Sequence, residues 1–468
     1  MILAKNVSRW AILGVTSLAV FAVLLDALVL FVAFPAIQRS FSAVSNGQLS
    51  WVLNAYTIVY GALLVPMGRF ADLVGRKKVF LAGATVFTAA SVLCGLAAAP
   101  AWLIAARVVQ AIGGAMLTPA SLALTLAAFP QEQRAIAVTL WGAVGALAVV
   151  AGPPIGSVIV QSFGWPGVFF LNLPVGLAAV LVGRTIIRES RDESSGTFPD
   201  ALGILLLIVG AALLAFGIVQ SQAWGWSNVS IWGALLIGLV ILSAFIARSS
   251  RVASPALDLT LFRDRTFRRA NAAMFLFSVA FTAMFFGSIL FLTHVWGYSL
   301  VQAGLATMPG PLMVVMFAPL AGRIAAVRGH RVLLVPGGLF YTAGALILTL
   351  FVHVTPQFLA VWLPATLVTG IGVALVLPVL SSAAVQHVPQ QKLAVGSGVN
   401  QAIRQFGTVL GVSLTFALLG SEPDTVELFR NIFVLMMVGG LSVSVLSLGI
   451  DTRPAHSAAQ HEMAQSHS

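Results

Sequence analysis

Apolar stretches of about 20 residues recur along the whole chain, separated by short polar breaks. A helix of that length crosses about 30 Å of hydrocarbon. The pattern predicts fourteen transmembrane helices, centred near Leu25, Tyr60, Thr88, Ala115, Ala148, Leu177, Ala211, Leu239, Phe281, Met313, Thr342, Val373, Val409 and Val438. The seventh and eighth, over about 202–221 and 230–248, could also pack at the periphery. The first run, from about Ala11 to Ile37, is too long for a signal-peptide core and carries an acid, so it is read as retained. No connection is long enough to fold as a soluble domain.

The pattern also repeats. Gly68-Arg69-Phe70-Ala71-Asp72-Leu73-Val74-Gly75-Arg76-Lys77 follows the second span, and Gly322-Arg323-Ile324-Ala325-Ala326-Val327-Arg328-Gly329-His330-Arg331 follows the tenth, without the aspartate. Gly113, Pro119 and Pro130 are echoed by Gly372, Pro378 and Pro389. The offsets, 254 and 259 residues, are nearly equal, so whole six-helix blocks correspond. Parallel repeats of this kind form two bundles about an axis along the membrane normal, with a site between them near the midplane. The expected architecture is an all-α integral membrane protein. A first bundle covers 1–190, a linker with two extra helices 191–262, a second bundle 263–450, and a polar tail 451–468.

Composition agrees: the chain is 59% hydrophobic and only 8% charged, with a mean hydropathy of +1.00. The net charge of +11 invites a nucleic-acid reading, but its distribution argues against one. The basic residues cluster in the N-terminal tail and in alternate loops, while the intervening loops hold only Arg39 and Arg430. That is the positive-inside bias, and it predicts that both termini are cytoplasmic. The single cysteine, Cys94, excludes intrachain disulfides and thiol clusters. Metal-site spacing, a nucleophile elbow and a Gly-x-x-x-x-Gly-Lys-Ser/Thr phosphate loop are all missing from the sequence, so no enzyme, cofactor or direct use of ATP is expected.

Against this background Asp26 stands out, in Val23-Leu24-Leu25-Asp26-Ala27-Leu28-Val29. A carboxylate near mid-bilayer costs about 2.5–3.5 kcal/mol on insertion scales. Between Asp264 and Glu422 there is no acid at all, so proton handling belongs to the first bundle. Arg107, inside the fourth span, is the natural partner of Asp26; the alternative is that it snorkels or bonds backbone carbonyls. A nearby cation and desolvation act on a carboxylate in opposite senses, so a movement that alters both would load and release a proton. In the loop from Gly68 to Lys78, Gly68 and Gly75 permit a tight turn and Asp72 and Arg76 can bridge helix ends. Asp72 could face the positive N-terminal end of a neighbouring helix. Gly152, Pro153 and Gly156 mark the fifth span, where close helix packing explains them as well as function does. Trp51, Tyr56, Gln110 and Trp141 are candidate cavity residues, and Arg404 lines that cavity or bonds the other bundle, with snorkelling as the equal alternative.

The Gly68–Lys78 loop resembles the motif between helices 2 and 3 of the major facilitator superfamily. Asp26 to Pro35 resembles the helix-1 acid motif of its drug:proton antiporters, Leu103–Gly114 the helix-4 arginine motif, and Gly152–Gly156 the helix-5 antiporter motif. The segments Trp165–Pro174 and Ser397–Gly411 are similar to the fourteen-helix branch. The likeness runs from about residue 11 to 450, with departures at Ala111, Ser157 and Pro166. It implies the major facilitator fold and a bacterial inner-membrane exporter working by alternating access. Proton coupling is then implied for Asp26 and Arg107, gating for Gly68, Asp72, Gly75 and Arg76, and the bundle interface for Gly152, Pro153 and Gly156. The expected cargo is an amphipathic drug-like molecule exchanged for protons by a monomer among membrane lipids. The lack of acids in the later helices speaks against multivalent cations. A dedicated exporter of a metabolite, antibiotic or lipid-like compound is the rival, and a scaffold or sensor without transport the weaker one.

Overall fold

The computed structural model describes residues 8–130, 133–191, 200–252, 255–388, 392–420 and 425–450. The tail expected over 451–468, and Pro389 of the repeat, lie outside the described residues. Fourteen helices are long and apolar enough to cross a membrane, and each expected centre falls inside one. The first six are α1 (Arg9–Ser40), α2 (Asn46–Val74), α3 (Arg76–Gly95), α4 (Pro100–Ala128), α5 (Ile136–Phe163) and α6 (Pro166–Ile186). Then come α7 (Ala201–Ser221) and α8 (Val229–Ser249). The last six are α9 (Arg265–His294), α10 (Leu300–Arg328), α11 (Arg331–Phe351), α12 (Phe358–Val385), α13 (Val395–Leu419) and α14 (Val426–Ser447). No strand occurs among the described residues.

Helix ends follow local chemistry. The Ser45 and Asp264 side chains accept from backbone N–H groups of the first turns of α2 and α9, and Ser299 with Gln302 forms a reciprocal capping box at α10. The α2–α3 and α10–α11 breaks turn on Gly75 and Gly329, whose φ values of 128° and 83° favour glycine.

The two repeats pack alike. In the first bundle α3 lies on α4 and α6, and α1 on α5; in the second α11 lies on α12 and α14, and α9 on α13. The contacts match at residue level. A β-carbon at Gly113 would overlap the backbone N of Phe87, and one at Gly372 the backbone N of Tyr341, the glycines 259 residues apart and their partners 254. Gly83 sits against Met116 as Gly337 sits against Leu375. Gly152 and Gly156 receive α1 at Leu28 and Val29, while Gly407 and Gly411 receive α9 at Ser278, Val279 and Thr282.

Two seams join the bundles. At one, α2 runs along α13, with Gly61 on Gln405, Val65 on Gly398, and Asn54 Nδ2 donating to Ser413 Oγ at 3.2 Å. At the other, α5 meets α10, where Gly304 packs on the Pro153 carbonyl and Ser157. Ser157, where the antiporter motif ends in a glycine, is accommodated because its partner is the glycine. On the face opposite the basic loops, Phe31 and Phe34 of α1 interlock with Phe285 and Phe286 of α9 and Phe416 of α13, ring centroids 5.1–5.9 Å apart.

The two extra helices differ. α7 fills the α2–α13 seam, where Ala211 and Ala215 are buried with Ile58 and Val409. α8 packs chiefly on α7 and exposes Leu236, Ile237 and Val240. Only the outer of the pair is peripheral.

Candidate functional site

Asp26, in the middle of α1, is buried, and so is Arg107 of α4, with side chains 2% and 1% exposed. Arg107 Nη1 donates to Asp26 Oδ2 at 2.5 Å and to Gln110 Oε1 at 2.6 Å, while its Nε donates to the Val52 carbonyl of α2 at 3.2 Å. Of the two readings of Arg107, the geometry is that of a pair, with one backbone carbonyl as a further acceptor. Gln110, one turn along α4, turns its amide nitrogen to Asp26 Oδ1 at 2.9 Å and to Ser91 Oγ of α3 at 3.1 Å. An ion pair without such added hydrogen bonds would not repay its desolvation in so dry a place.

A fifth helix contributes. Asn172 of α6 donates through Nδ2 to Asp26 Oδ1 at 2.7 Å and to Ser91 Oγ at 2.9 Å. Its position follows from the chain: Pro174 has no N–H to give the Phe170 carbonyl, so α6 breaks at Leu171 and restarts at Asn172. Ser91 in turn donates its hydroxyl to the Phe169 carbonyl at 2.9 Å. Cys94 Sγ lies 3.6 Å from Gln110 Oε1. Sequence reasoning placed Gln110 with the cavity residues and did not single out Asn172 or Ser91. The one available signal was the Trp165–Pro174 segment, noted only for its likeness to a family branch.

Tyr56 closes the site on the α2 side. The Arg107 guanidinium carbon stands 3.9 Å from the Tyr56 ring centroid, close enough for a cation–π contact. Tyr56 stacks on Tyr60 at 5.7 Å, and the Tyr60 hydroxyl is 3.0 Å from Thr118 Oγ1. Arg404 of α13 is half-buried, and its side chain has no hydrogen bond or ion pair among the described residues. The remaining cavity candidates sit elsewhere. Trp51 packs on the Ile58, Ala211, Ala215 and Val409 cluster in the α7 seam. Trp141 packs near Leu13 and Phe129, donating Nε1–H to Ser121 Oγ at 3.1 Å.

The α2–α3 loop is a second polar centre. Arg76 Nε donates to Asp72 Oδ1 at 2.8 Å, one turn away along the chain. The acid at the N-terminus of α3 is Glu189, which accepts from the Lys77 backbone N–H at 3.0 Å, while the Arg76 N–H goes to the Ser190 carbonyl. Lys77 Nζ bonds the Arg184 carbonyl at 2.8 Å, so the loop is fastened to the end of α6 in its own bundle. Gly68 touches Pro119 of α4, and a side chain at Gly75 would strike the Glu189 carboxylate. Of the antiporter-motif residues, Gly152 and Gly156 face α1 two to three residues beyond Asp26, and Pro153 faces the second bundle. No group of three or more metal-binding side chains is found among the described residues.

Comparison with known proteins identifies the family. The model of the Major Facilitator Superfamily matches residues 16–412 and 273–463. The chain is 34% identical to "Multidrug resistance protein Stp" of Mycobacterium tuberculosis, over 87% of its own length and 74% of the relative's. It is 30% identical to the "Tetracenomycin C resistance and export protein" of Streptomyces glaucescens, over 89% and 77% of the two chains. Likeness to the "Methylenomycin A resistance protein" of Streptomyces coelicolor is 32%, over 93% and 92%. With fourteen membrane-crossing helices and matches of this extent, the chain belongs to the Major Facilitator Superfamily.

Proposed function

We propose that this protein is a proton-coupled exporter of amphipathic, lipophilic small molecules, working by alternating access in the bacterial inner membrane with both termini in the cytoplasm. The observation that carries the reading is the buried Asp26–Arg107 pair, whose acid lies on a helix that touches both the second bundle and α5 of the α5–α10 seam. α1 reaches the second bundle through Phe31 and Phe34, and α5 links α1 to Gly304 through Gly152, Pro153 and Gly156. A change in the charge of Asp26 therefore acts where the bundles meet. Protonation weakens its hold on Arg107; return of the proton to the cytoplasm restores it. Asp72 and Arg76, with Gly68 and Gly75, form the cytoplasmic gate, and the protein acts as a monomer that is not an enzyme. The basic residues on alternate loops support the orientation.

The test is dye efflux from proteoliposomes under an imposed pH gradient. Asp26→Asn abolishes the gradient-driven component while dye exchange without a gradient persists. Retained gradient-driven efflux removes Asp26 from the mechanism.

A second reading keeps the mechanism and narrows the cargo to one endogenous metabolite or antibiotic. The names of the tetracenomycin and methylenomycin relatives favour it. Competition of dye efflux by a metabolite panel separates the two: a single strong competitor marks a dedicated exporter.

A further inference from the structure

Asn172 has no part in the mechanism just proposed, yet it makes one of the shortest hydrogen bonds to the coupling carboxylate. We infer that Asn172 is a positioning residue that directs the incoming proton to Oδ2 of Asp26, the oxygen that holds Arg107. The inference rests on the proton-coupled reading and adds to it which atom is protonated and why that breaks the ion pair.

The two carboxylate oxygens are not equivalent. Oδ1 accepts from two amides, Asn172 Nδ2 at 2.7 Å and Gln110 Nε2 at 2.9 Å, while among the described residues Oδ2 accepts from Arg107 alone. Neither amide can reverse. The Gln110 oxygen is held by Arg107, and an Asn172 oxygen turned inward would face the carboxylate. Both amide nitrogens are also anchored on Ser91 Oγ, whose own proton goes to the Phe169 carbonyl, leaving its lone pairs for them.

A proton on Oδ1 would point an O–H at two N–H donors fixed in place. A proton on Oδ2 leaves Oδ1 as a carbonyl that still accepts from both amides. The new O–H then opposes only Arg107, which has the Gln110 oxygen and the Val52 carbonyl to fall back on. A proton supplied by water thus forms the Oδ2–H bond, neutralises Asp26 and displaces the guanidinium, and its return to water reverses each change. Without Asn172, Oδ1 keeps a single donor, the choice of oxygen is lost, and a proton can be carried while the ion pair survives.

The Asn172 hydrogen bond is stronger to the ionised carboxylate than to the protonated one, so its removal costs the ionised form more and Asp26 takes its proton at higher pH. The other titratable or charged groups facing Asp26 are Arg107 of α4, Tyr56 of α2 and Cys94 of α3. The only such residues of α5, α6 and α9 within their described spans lie near the helix ends.

The test uses the full chain in proteoliposomes. The infrared carbonyl band of protonated Asp26, assigned by its loss in Asp26→Asn, is titrated against pH. In Asn172→Ala the midpoint moves up by about one pH unit, and gradient-driven accumulation of ethidium falls about tenfold while exchange without a gradient is retained. Ser91→Ala, which loosens the anchor, moves the midpoint in the same direction by less, and it carries the test should Asn172→Ala fail to fold. An unchanged midpoint in a folded variant overturns the proposal, as does a carboxyl that stays ionised in both proteins throughout. If Asp26→Asn itself still accumulates dye along the gradient, the proton-coupled reading fails. The infrared shift reports on Asn172 independently.

Discussion

Laid over one another, α3–α6 and α11–α14 share their packing and almost none of their chemistry. Gly83, Gly113 and Gly176 have counterparts in Gly337, Gly372 and Gly440, and each pair receives the same kind of neighbour; Thr88 presses on Gly176 as Thr342 presses on Gly440. At the same offsets Arg107 becomes Thr366, Gln110 becomes Thr369, Ser91 becomes Ala345, Cys94 becomes Leu348 and Asn172 becomes Met436. The second bundle repeats the positions of the charged site but none of its charges: the Thr366 and Thr369 hydroxyls bond back to their own helix. The loops differ likewise. Arg76 after Gly75 pairs with Asp72, whereas His330 after Gly329 is tucked against Ser382 Oγ at 2.9 Å. Burial holds the His330 ring below the usual histidine range, so it is neutral at physiological pH. Close packing of backbones thus recurs in both halves, while the ionisable network belongs to one.

The sharpest way to break this comparison is to cut equivalent positions in the two halves. Arg107→Leu strands a buried carboxylate, at a cost of about 3–5 kcal/mol, and ends proton-driven efflux. Thr366→Leu removes a hydroxyl that only back-bonds its own helix and costs about 1 kcal/mol or less. Thermal unfolding of the purified protein, read beside liposome efflux, measures both. The double variant Asp26→Asn with Arg107→Gln recovers most of the stability and none of the coupling. If Thr366→Leu proves as damaging as Arg107→Leu, the second half is not the silent partner described here.

How much of this could be read from the chain depended on how unusual each residue is where it stands. Fourteen apolar runs and a repeated glycine–proline spacing are legible because lipid leaves few alternatives to long helices. Asp26 and Arg107 are legible because charges are expensive there. Asn172 is a neutral amide 146 residues from Asp26, and only the break at Leu171 brings it to the carboxylate. Glu189 was hidden in a loop of mixed charge, and its role appears only when the end of α6 meets the N-terminus of α3. The seam-filling place of α7 was illegible because the helix is apolar all round and presents no face that tells protein from lipid.

A middle-sized effect sharpens the packing side of the comparison. Gly113→Ala and Gly372→Ala each push a methyl group into the backbone of the neighbouring helix. Overpacking of this kind costs about 1–3 kcal/mol, and the two losses agree within about 1 kcal/mol if the halves are packed alike. Unfolding temperatures of the two single variants decide it. A large loss at one and none at the other would mean that the shared glycines no longer do the same work.

The smallest effect concerns the part with no counterpart in either half. Asp200, at the start of α7, accepts from Arg248 Nε and Nη2 near the end of α8, both at 2.8 Å, and so clasps the inserted pair of helices. These bonds are the main reason its carboxyl lies below the usual carboxylate range, against the opposing effect of burial. A depressed acid stabilises the folded chain fully above its unfolded value, about 3.9, and that contribution is lost as pH falls through the folded value. Asp200→Asn therefore lowers the unfolding temperature by about 1–2 °C at neutral pH. The two curves converge only in acid, once the carboxyl of the unsubstituted chain is itself protonated. Proton-driven efflux at neutral pH stays unchanged, because the clasp touches neither Asp26 nor the α5–α10 seam. A loss of coupling in Asp200→Asn would instead make the insert a third participant in the exchange of bundles.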